Sequence, residues 1–500
     1  MINKDLFVLD IANNHQGDLS HAKSIIDNFS VLIDKFKEID LAIKFQFRDL
    51  DTFIHPSHKN EFNTPNVQRF LSTRLEKDHF KELIAYAKEK GFITIATPFD
   101  EKSIQMLIDL NVEILKIASC SANDWPLIDD VVKYNKPVIA STGGLSFNDI
   151  DKLVFKLQSK NIKFDLMHCV SIYPTPNEML ELNQIKLLKN RYSKVNIGFS
   201  THEDPENYEA IQAAYTLGAR IFERHIGLKT ELYDLNKYSS TPTQINKWIE
   251  AYYRAKEMLG ASARYPAPAL EKAAISNLQR GVYVNKDISA SNAISNEDVF
   301  FAIPLLPNKL KISDYKPGII AEKNYKALEP ISELTHPSRD SEEIMRLKVL
   351  FEAKALLNQS KVSLGKPTKI EFSHHYGFER FREYGAIIFD IVNREYCKKI
   401  IVMLPRQKHP YHRHIKKEET FQVLYGELEI TINGNSTKLF PGDYIVVERE
   451  KWHKFQTLNG VVFEEISTTS FDNDSFYDDE FISKLKREER KTIIDNFDVY

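Results

Sequence analysis

Along the first 260 residues, short apolar β-rich runs alternate with stretches whose apolar positions recur at helical spacing. The runs are Phe7 to Ala12, Leu41 to Phe47, Phe92 to Phe99, Val112 to Ser119, Pro137 to Thr142, Phe164 to Cys169, Val195 to Ser200 and Ala219 to Ile226. Among the intervening stretches, Asp78 to Lys90 puts Phe80, Leu83, Ile84 and Ala87 on one helical face. Near-continuous apolar strands separated by helices imply a parallel sheet covered on its outside. Eight such units in about 250 residues predict an α/β chain closed into a (β/α)8 TIM barrel. A doubly wound open sheet is the competing arrangement, but no glycine-rich phosphate fingerprint follows the first strand.

The pattern then changes. Gly260 to Pro268, rich in alanine, proline and glycine, reads as a linker that closes a barrel domain at 1–262. Residues 275–335 read as a small β-rich unit and 336–364 as a helical linker, with the charged helical stretch Asp340 to Asn358 at its centre. Residues 365–472 are dense in short alternating strands, a β-barrel pattern. Asn433-Gly434 supplies a hairpin turn there, since both central positions of that turn need positive φ. The tail, 473–500, is acidic and then basic, and is expected to be helical or partly ordered.

Composition narrows the function classes. A hydrophobic fraction of 42% and a charged fraction of 27% belong to a soluble globular protein. A formal charge of −3 gives no electrostatic reason to expect nucleic acid or an anionic membrane as partner. Cys120, Cys169 and Cys397 are scattered without metal or redox spacing, as in a reducing compartment. The first apolar run is short and broken by Asp10, so no signal peptide is expected, and no run approaches a membrane span. The cytoplasm is the expected location.

In a barrel of this kind the chemistry sits at the C-terminal strand ends. Those ends carry Asp10; Lys44 and Gln46 on one face; Thr97; Lys116 and Ser119; Ser141 and Thr142; His168, Ser171 and Tyr173; Ser200 and His202; Glu223 and His225. Two lysines with several hydroxyls and the Gly143-Gly144 turn make a pocket for an anionic phosphate ester. Two histidines on neighbouring strands can hold a divalent metal, with a carboxylate as third ligand. Taken singly, a strand-end Lys is ordinarily solvated and a strand-end His ordinarily structural. A full set of polar ends in register is harder to explain that way.

These stretches resemble the sialic acid synthase family, which condenses phosphoenolpyruvate with an aldose. The likeness is carried by VLDIANNHQGDLSHAKSIID, AIKFQ, ATPFD, LKIAS, PVIASTGG, HCVSIYPTP, IGFSTHE and GARIFERHIGL. The unit at 275–335 resembles that family's antifreeze-like (SAF) domain. The resemblance implies a metal-dependent synthase of 2-keto-3-deoxy sugar acids. It implies phosphoenolpyruvate contacts at Lys44, Thr97, Lys116, Ser119, Ser141, Ser171 and Ser200, with catalytic roles for Asp10, Lys44, Gln46, Tyr173 and Asp234. It also implies manganese or magnesium at His202 and His225, and a homodimer. Departures cluster on the acceptor side. Asp10 replaces the usual Glu, Cys120-Ser121 the usual Gly-Glu, and Ser171 the usual Asn. Thr201 replaces Asp, Leu235 replaces a His, and Ala302 to Leu305 lacks the family's Arg. An acceptor other than N-acetylmannosamine is expected.

The segments HPYHRHIKKEETFQVLYGELEI and LFPGDYIVVEREKWHKF resemble a cupin. His412, His414, Glu419 and His453 are its expected ligands for Mn, Fe, Ni or Zn, with Glu418 as an alternative to Glu419. His374, His375 and His409 are off pattern and are expected at the surface or behind the ligands. The alternative function is a bifunctional protein whose cupin is a sugar isomerase or a sugar-binding module.

Overall fold

The computed structural model describes residues 4–59, 65–260, 267–334, 342–364 and 369–494, and the chain divides into two compact units, 1–265 and 266–500. The linker read after Gly260 and the junction at 335–341 lie outside the described residues.

In the first unit, eight parallel strands close in sequence order. They are β1 (Leu6–Asp10), β2 (Asp40–Phe47), β3 (Ile93–Pro98), β4 (Ile114–Ile117), β5 (Val138–Ser141), β6 (Phe164–Cys169), β7 (Ile197–Thr201) and β8 (Ile221–His225). β8 pairs back onto β1, with His225 opposite Asp10, so no edge is left open. The helix Lys77–Glu89 buries Phe80, Leu83, Ile84 and Ala87, the face its periodicity predicts.

Alternation along each strand separates two environments. Phe7, Leu9, Phe45 and Phe222 belong to the large core beneath the surrounding helices. Leu6, Val8, Ala42, Ile95, Ile139, Met167 and Ile221 form a separate apolar cluster inside the barrel. The residues two or four further along those inner faces are Asp10, Lys44, Gln46, Thr97, Ser141, Glu223 and His225. The barrel is thus apolar at its base and polar at its mouth. On the outside, Phe7 and Phe222 meet Trp248 and Tyr252 of the helix Pro242–Leu259, mostly edge to face. Each such pair adds about 0.5–1.5 kcal/mol beyond burial, and together they fix the strands that present Asp10, Glu223 and His225.

The second unit opens with the helix Ala269–Leu278 and a small β structure. There β9 (Gly281–Val284) pairs with β11 (Val299–Ala302), and β10 (Ala293–Ile294) with β12 (Ile319–Ile320), around Val282, Val284, Ile294 and Tyr325. The rest is two antiparallel sheets. The larger runs β20 (Tyr444–Val447), β17 (Glu419–Gly426), β22 (Val461–Thr468), β15 (Tyr396–Met403), β14 (Ala386–Asn393), β13 (Lys369–Ser373) and β24 (Lys491–Ile494). The smaller runs β19 (Asn435–Leu439), β18 (Leu428–Ile432), β21 (His453–Gln456), β16 (His412–Arg413) and β23 (Phe476–Tyr477). Asn433 and Gly434 join β18 to β19 with φ of 47° and 86°, the two-residue turn read from the sequence.

Two expectations are corrected here. The helix Glu342–Ser360 is not a free-standing linker: Val349, Leu350, Ala353 and Leu357 pack into the core of the larger sheet. The tail is not merely helical. Two short helices lead into β24, which adds to β13 as an edge strand, with Lys491 opposite Ser373. A four-residue strand flanked by charges carries too little periodicity to be seen in the sequence. Among the described residues no helix is long and apolar enough to cross a membrane.

Candidate active site and metal centre

Lys44 and Lys116 reach the barrel mouth almost wholly buried. Lys44 Nζ lies 2.8 Å from Glu223 Oε1 and 3.1 Å from Asp10 Oδ2. Lys116 Nζ lies 3.7 Å from the same Glu223 oxygen and donates to Ser141 Oγ. Ser200 Oγ donates to Glu223 Oε1 at 3.0 Å, and Gln46 Nε2 to Asp10 Oδ2 at 3.1 Å. The two amines differ electrostatically. Burial disfavours the charge on Lys44, but Asp10 and Glu223 outweigh it and raise its pKa. Burial dominates at Lys116 and lowers its pKa, with the Lys44 charge acting in the same direction.

Beside this cluster the rings of His202 and His225 stand 5.3 Å apart. His202 Nδ1 is 3.0 Å from Val170 O; burial opposes a charge on the ring, but the Cys169 thiol hydrogen-bonded to it outweighs that and raises its pKa. His225 Nδ1 is buried, without a hydrogen-bond partner, 3.3 Å from Asp10 Oδ2. Burial lowers the His225 pKa to about 4, which keeps it neutral and able to ligate near pH 7. Two imidazoles and the Asp10 carboxylate are donor types that a divalent cation takes, although their ligand atoms do not all converge within 4.8 Å of one another. The Tyr173 ring lies tilted against His202, centroids 4.1 Å apart.

Behind β8, Arg224 and Glu203 form a buried ion pair, and Arg224 also donates to Pro205 O at 3.0 Å. This fastens the loop that carries His202. Gly143 donates its N–H to Ser119 Oγ at 3.0 Å, and a Cβ there would come within 2.9 Å of both Ser119 Oγ and Ser171 Oγ. Only glycine allows those hydroxyls to close on the turn.

In the second unit, His412 on β16 pairs with His453 on β21, and His414 stands close by. One nitrogen from each lies within 4.8 Å of the others. The Nδ1 atoms of all three meet backbone carbonyls, those of Pro410, Asp474 and Lys451. Each Nδ1 is thus protonated, and the lone pairs left over are on Nε2. Glu419 Oε2 lies 3.1 Å from His453 Nε2, yet both atoms are buried and neither has a hydrogen-bond partner. Acceptors facing one another without a proton between them fit a cation. Among the described residues this is the one group of three or more such side chains close enough to share an ion.

A model of the NeuB family matches residues 32–264, and a cupin domain model matches residues 399–461. The crystal structure of a Chromobacterium violaceum protein assigned to spore coat polysaccharide biosynthesis is 39% identical. It covers 66% of this chain and 98% of its own, with a TM-score of 0.58.

The chain belongs to the NeuB family.

Curated NeuB-like relatives include N-acetylneuraminate-9-phosphate synthase of Drosophila melanogaster, 33% identical over 46% of this chain and 61% of that protein. N,N'-diacetyllegionaminic acid synthase of Campylobacter jejuni is 27% identical over 66% of this chain and 99% of that protein. In this NeuB-family barrel the structure brings together Asp10, Lys44, Gln46, Lys116, Ser141, Ser200, His202 and His225. Thr97 is buried opposite Gln46, with its hydroxyl unpaired. Ser119 and Ser171 flank Gly143, and Tyr173 covers the imidazoles. Asp234 is not part of the cluster: its side chain is 87% exposed and pairs with Lys229. Nothing in its local sequence, in a loop without periodicity, could fix its orientation.

The cupin readings divide similarly. His412, His414, His453 and Glu419 converge, while Glu418 is exposed. His374, His375 and His409 are buried rather than at the surface, and His409, its ring 4.6 Å from that of His412, takes the other expected place, behind the ligands. His375 Nε2 meets His409 Nε2 at 3.1 Å, and His409 lines the same cavity as His412 and His414. Glu223 was visible among the strand ends but given no role. Its place between Ile221 and His225 on one face of β8 was the signal that it points inward.

Proposed function

We propose that the barrel condenses phosphoenolpyruvate with a sugar aldehyde to give a 2-keto-3-deoxy sugar acid and phosphate. The observation that carries this reading is the sharing of one carboxylate, Glu223, by two buried lysines beside a pair of imidazoles. Buried amines gathered around a shared internal carboxylate, with Asp10 beside Lys44, suit a ligand that brings its own anions, a carboxylate and a phosphate. Lys44, Lys116, Ser141 and Ser200 hold those groups and stabilise charge as the phosphate departs. Asp10 and Gln46 stand next to the imidazoles, where an aldehyde oxygen can be oriented. Manganese or magnesium, when bound at His202 and His225, supplies Lewis-acid polarisation of that aldehyde. The synthase names of the relatives support the same reaction class.

The aldose is proposed to occupy the cleft beside Gln46 and Arg48, about 180 Å³ in volume. It is proposed to differ from N-acetylmannosamine, since Ser121, Ser171 and Leu235 depart from the family pattern that the sequence otherwise resembles. A homodimer and an antifreeze-like role for the small β unit belong to the same reading. The test is a phosphate-release screen across aldoses and amino sugars, with and without manganese. Release that needs phosphoenolpyruvate, one aldose and the ion is expected. Silence across the panel, or N-acetylmannosamine as the best acceptor, would refute the reaction or the acceptor assignment respectively.

A further inference from the structure

We propose that the cupin cavity is a second ligand site, one that takes a polyhydroxylated anion: a sugar bearing a carboxylate or a phosphate. The proposal stands on the cupin alone and does not depend on the reaction of the barrel.

The cavity holds about 410 Å³ and is lined by His412 and His414 of the triad and by Glu419. Its floor carries a row of charge across the larger sheet. Lys369 on β13 is opposite Asp390 on β14, Asp390 opposite Lys399 on β15, and Lys399 opposite Glu465 on β22. All four line the cavity. Lys417 extends the row by bridging Glu465 and Glu419. Alternating ammonium and carboxylate groups in an interior are costly relative to apolar packing. They match a polyol, whose hydroxyls each donate to one group and accept from the next. Ile388, Ile401, Phe421 and Phe455 line the same cavity and offer the C–H face of a sugar an apolar wall.

The balance of charge selects an anion. Six cationic side chains and five carboxylates line the cavity, and a divalent ion at the triad would add two positive charges. Burial also raises the Asp390 pKa, which weakens one of the negative charges. Most of the cations are already engaged: Lys491 and Arg487 on Glu371, Lys399 and Lys417 on Glu465. Arg490 is different. Its guanidinium sits 4.9 Å above the Tyr477 ring and makes no ion pair with a carboxylate of the described residues. Its Nε is buried without a hydrogen-bond partner. A guanidinium with a buried, unpartnered Nε in the wall of this cavity is suited to a carboxylate or phosphate. It comes from the segment that leads into β24, so the C-terminal tail completes the site.

The test is titration calorimetry on the full chain loaded with Mn2+, using 2-keto-3-deoxygluconate, glucose 6-phosphate and glucose as probes. At least one anion should bind, and glucose should bind about tenfold or more weakly, a gap of about 1.4 kcal/mol. Arg490→Ala should weaken the anion about tenfold or more, Arg490→Lys should retain most of the affinity, and the His412→Ala/His414→Ala pair should abolish binding. Which anion binds separates a sugar acid from a sugar phosphate. Equal affinity for glucose, no anion binding, or anion binding unchanged in these variants overturns the proposal; in the last case the heat belongs to the barrel. Should Arg490→Ala fold poorly, a second measurement decides. The paramagnetic resonance spectrum of Mn2+ in the His202→Ala/His225→Ala protein should change on adding the anion, and an unchanged spectrum counts against the site.

Discussion

Glu223 Oε1 and Lys44 Nζ meet at 2.8 Å inside a barrel mouth where Glu223 also faces Lys116. Burial opposes the Glu223 charge, but the two lysines outweigh it and hold the carboxyl well below its usual range. The carboxylate is the counter-ion of the resting site. Replacing it by Glu223→Gln strips Lys116 of its counter-ion and leaves Asp10 alone beside Lys44, a loss on the order of 3–5 kcal/mol. Urea unfolding should show it. Phosphoenolpyruvate brings new anions, so it should raise the melting temperature more in the variant than in the native chain. An equal shift in both proteins would mean that the lysines do not receive the substrate.

A second prediction concerns Arg224, which lies between Glu223 and His225 in sequence but points out of the barrel. It pairs with Glu203, holds Pro205 O and lies 5.0 Å from the Trp248 ring. Arg224→Met strands a buried carboxylate and should cost about 3–5 kcal/mol. Because the loop it fastens carries His202, the affinity of the barrel for Mn2+ should fall as well. Calorimetry of metal binding at a temperature where the variant is folded separates the two effects. Unchanged Mn2+ affinity would confine Arg224 to stability.

The barrel was legible because its signal is repeated: eight apolar runs, each ending in polar residues at a spacing that alternation fixes. Lys44, Lys116, Ser200 and His225 sit on strands, so their direction follows from their position. Asp234 sits on a loop, and its direction does not. In the cupin, His412 and His453 were legible from spacing around known turns. Which of the two expected places His375 and His409 take, the surface or behind the ligands, depends on partners far along the chain, so the sequence leaves it open. β24 was invisible for a related reason. Lys491 faces Glu371, 120 residues away, and only tertiary pairing gives that four-residue segment its shape.

Metal content provides a third prediction. The barrel and cupin sets are separate in sequence and each puts imidazoles beside a buried carboxylate, so the loaded chain should hold about two divalent ions. His225→Ala should remove one equivalent and His412→Ala the other, read by plasma mass spectrometry after gel filtration. Chelation should also lower the melting temperature, since an ion bound only by the folded chain stabilises it. A single equivalent, lost in only one of the two variants, would leave the other set of histidines structural.

The last prediction concerns acid. Glu371 on β13 is held by Lys491 at 2.6 Å and by Arg487 at 3.2 Å, both contributed by the tail. Burial works against its charge, but Lys491 first and the neighbouring lysines after it bring the pKa from 4.5 down to about 2. A carboxyl whose folded pKa is depressed stabilises fully above its unfolded value and loses that contribution as pH falls through the folded one. The contribution, on the order of 3 kcal/mol, should therefore be intact above about pH 5 and fade between about 4.5 and 2. Glu371→Gln should flatten stability across that window while lowering it at neutral pH. Hydrogen exchange should locate the loss first in β24, because the amide protons of that strand depend on its pairing with β13. If the amides of β24 stay protected down to pH 2 in the native chain, backbone pairing and apolar contacts, rather than Glu371, hold the tail in place.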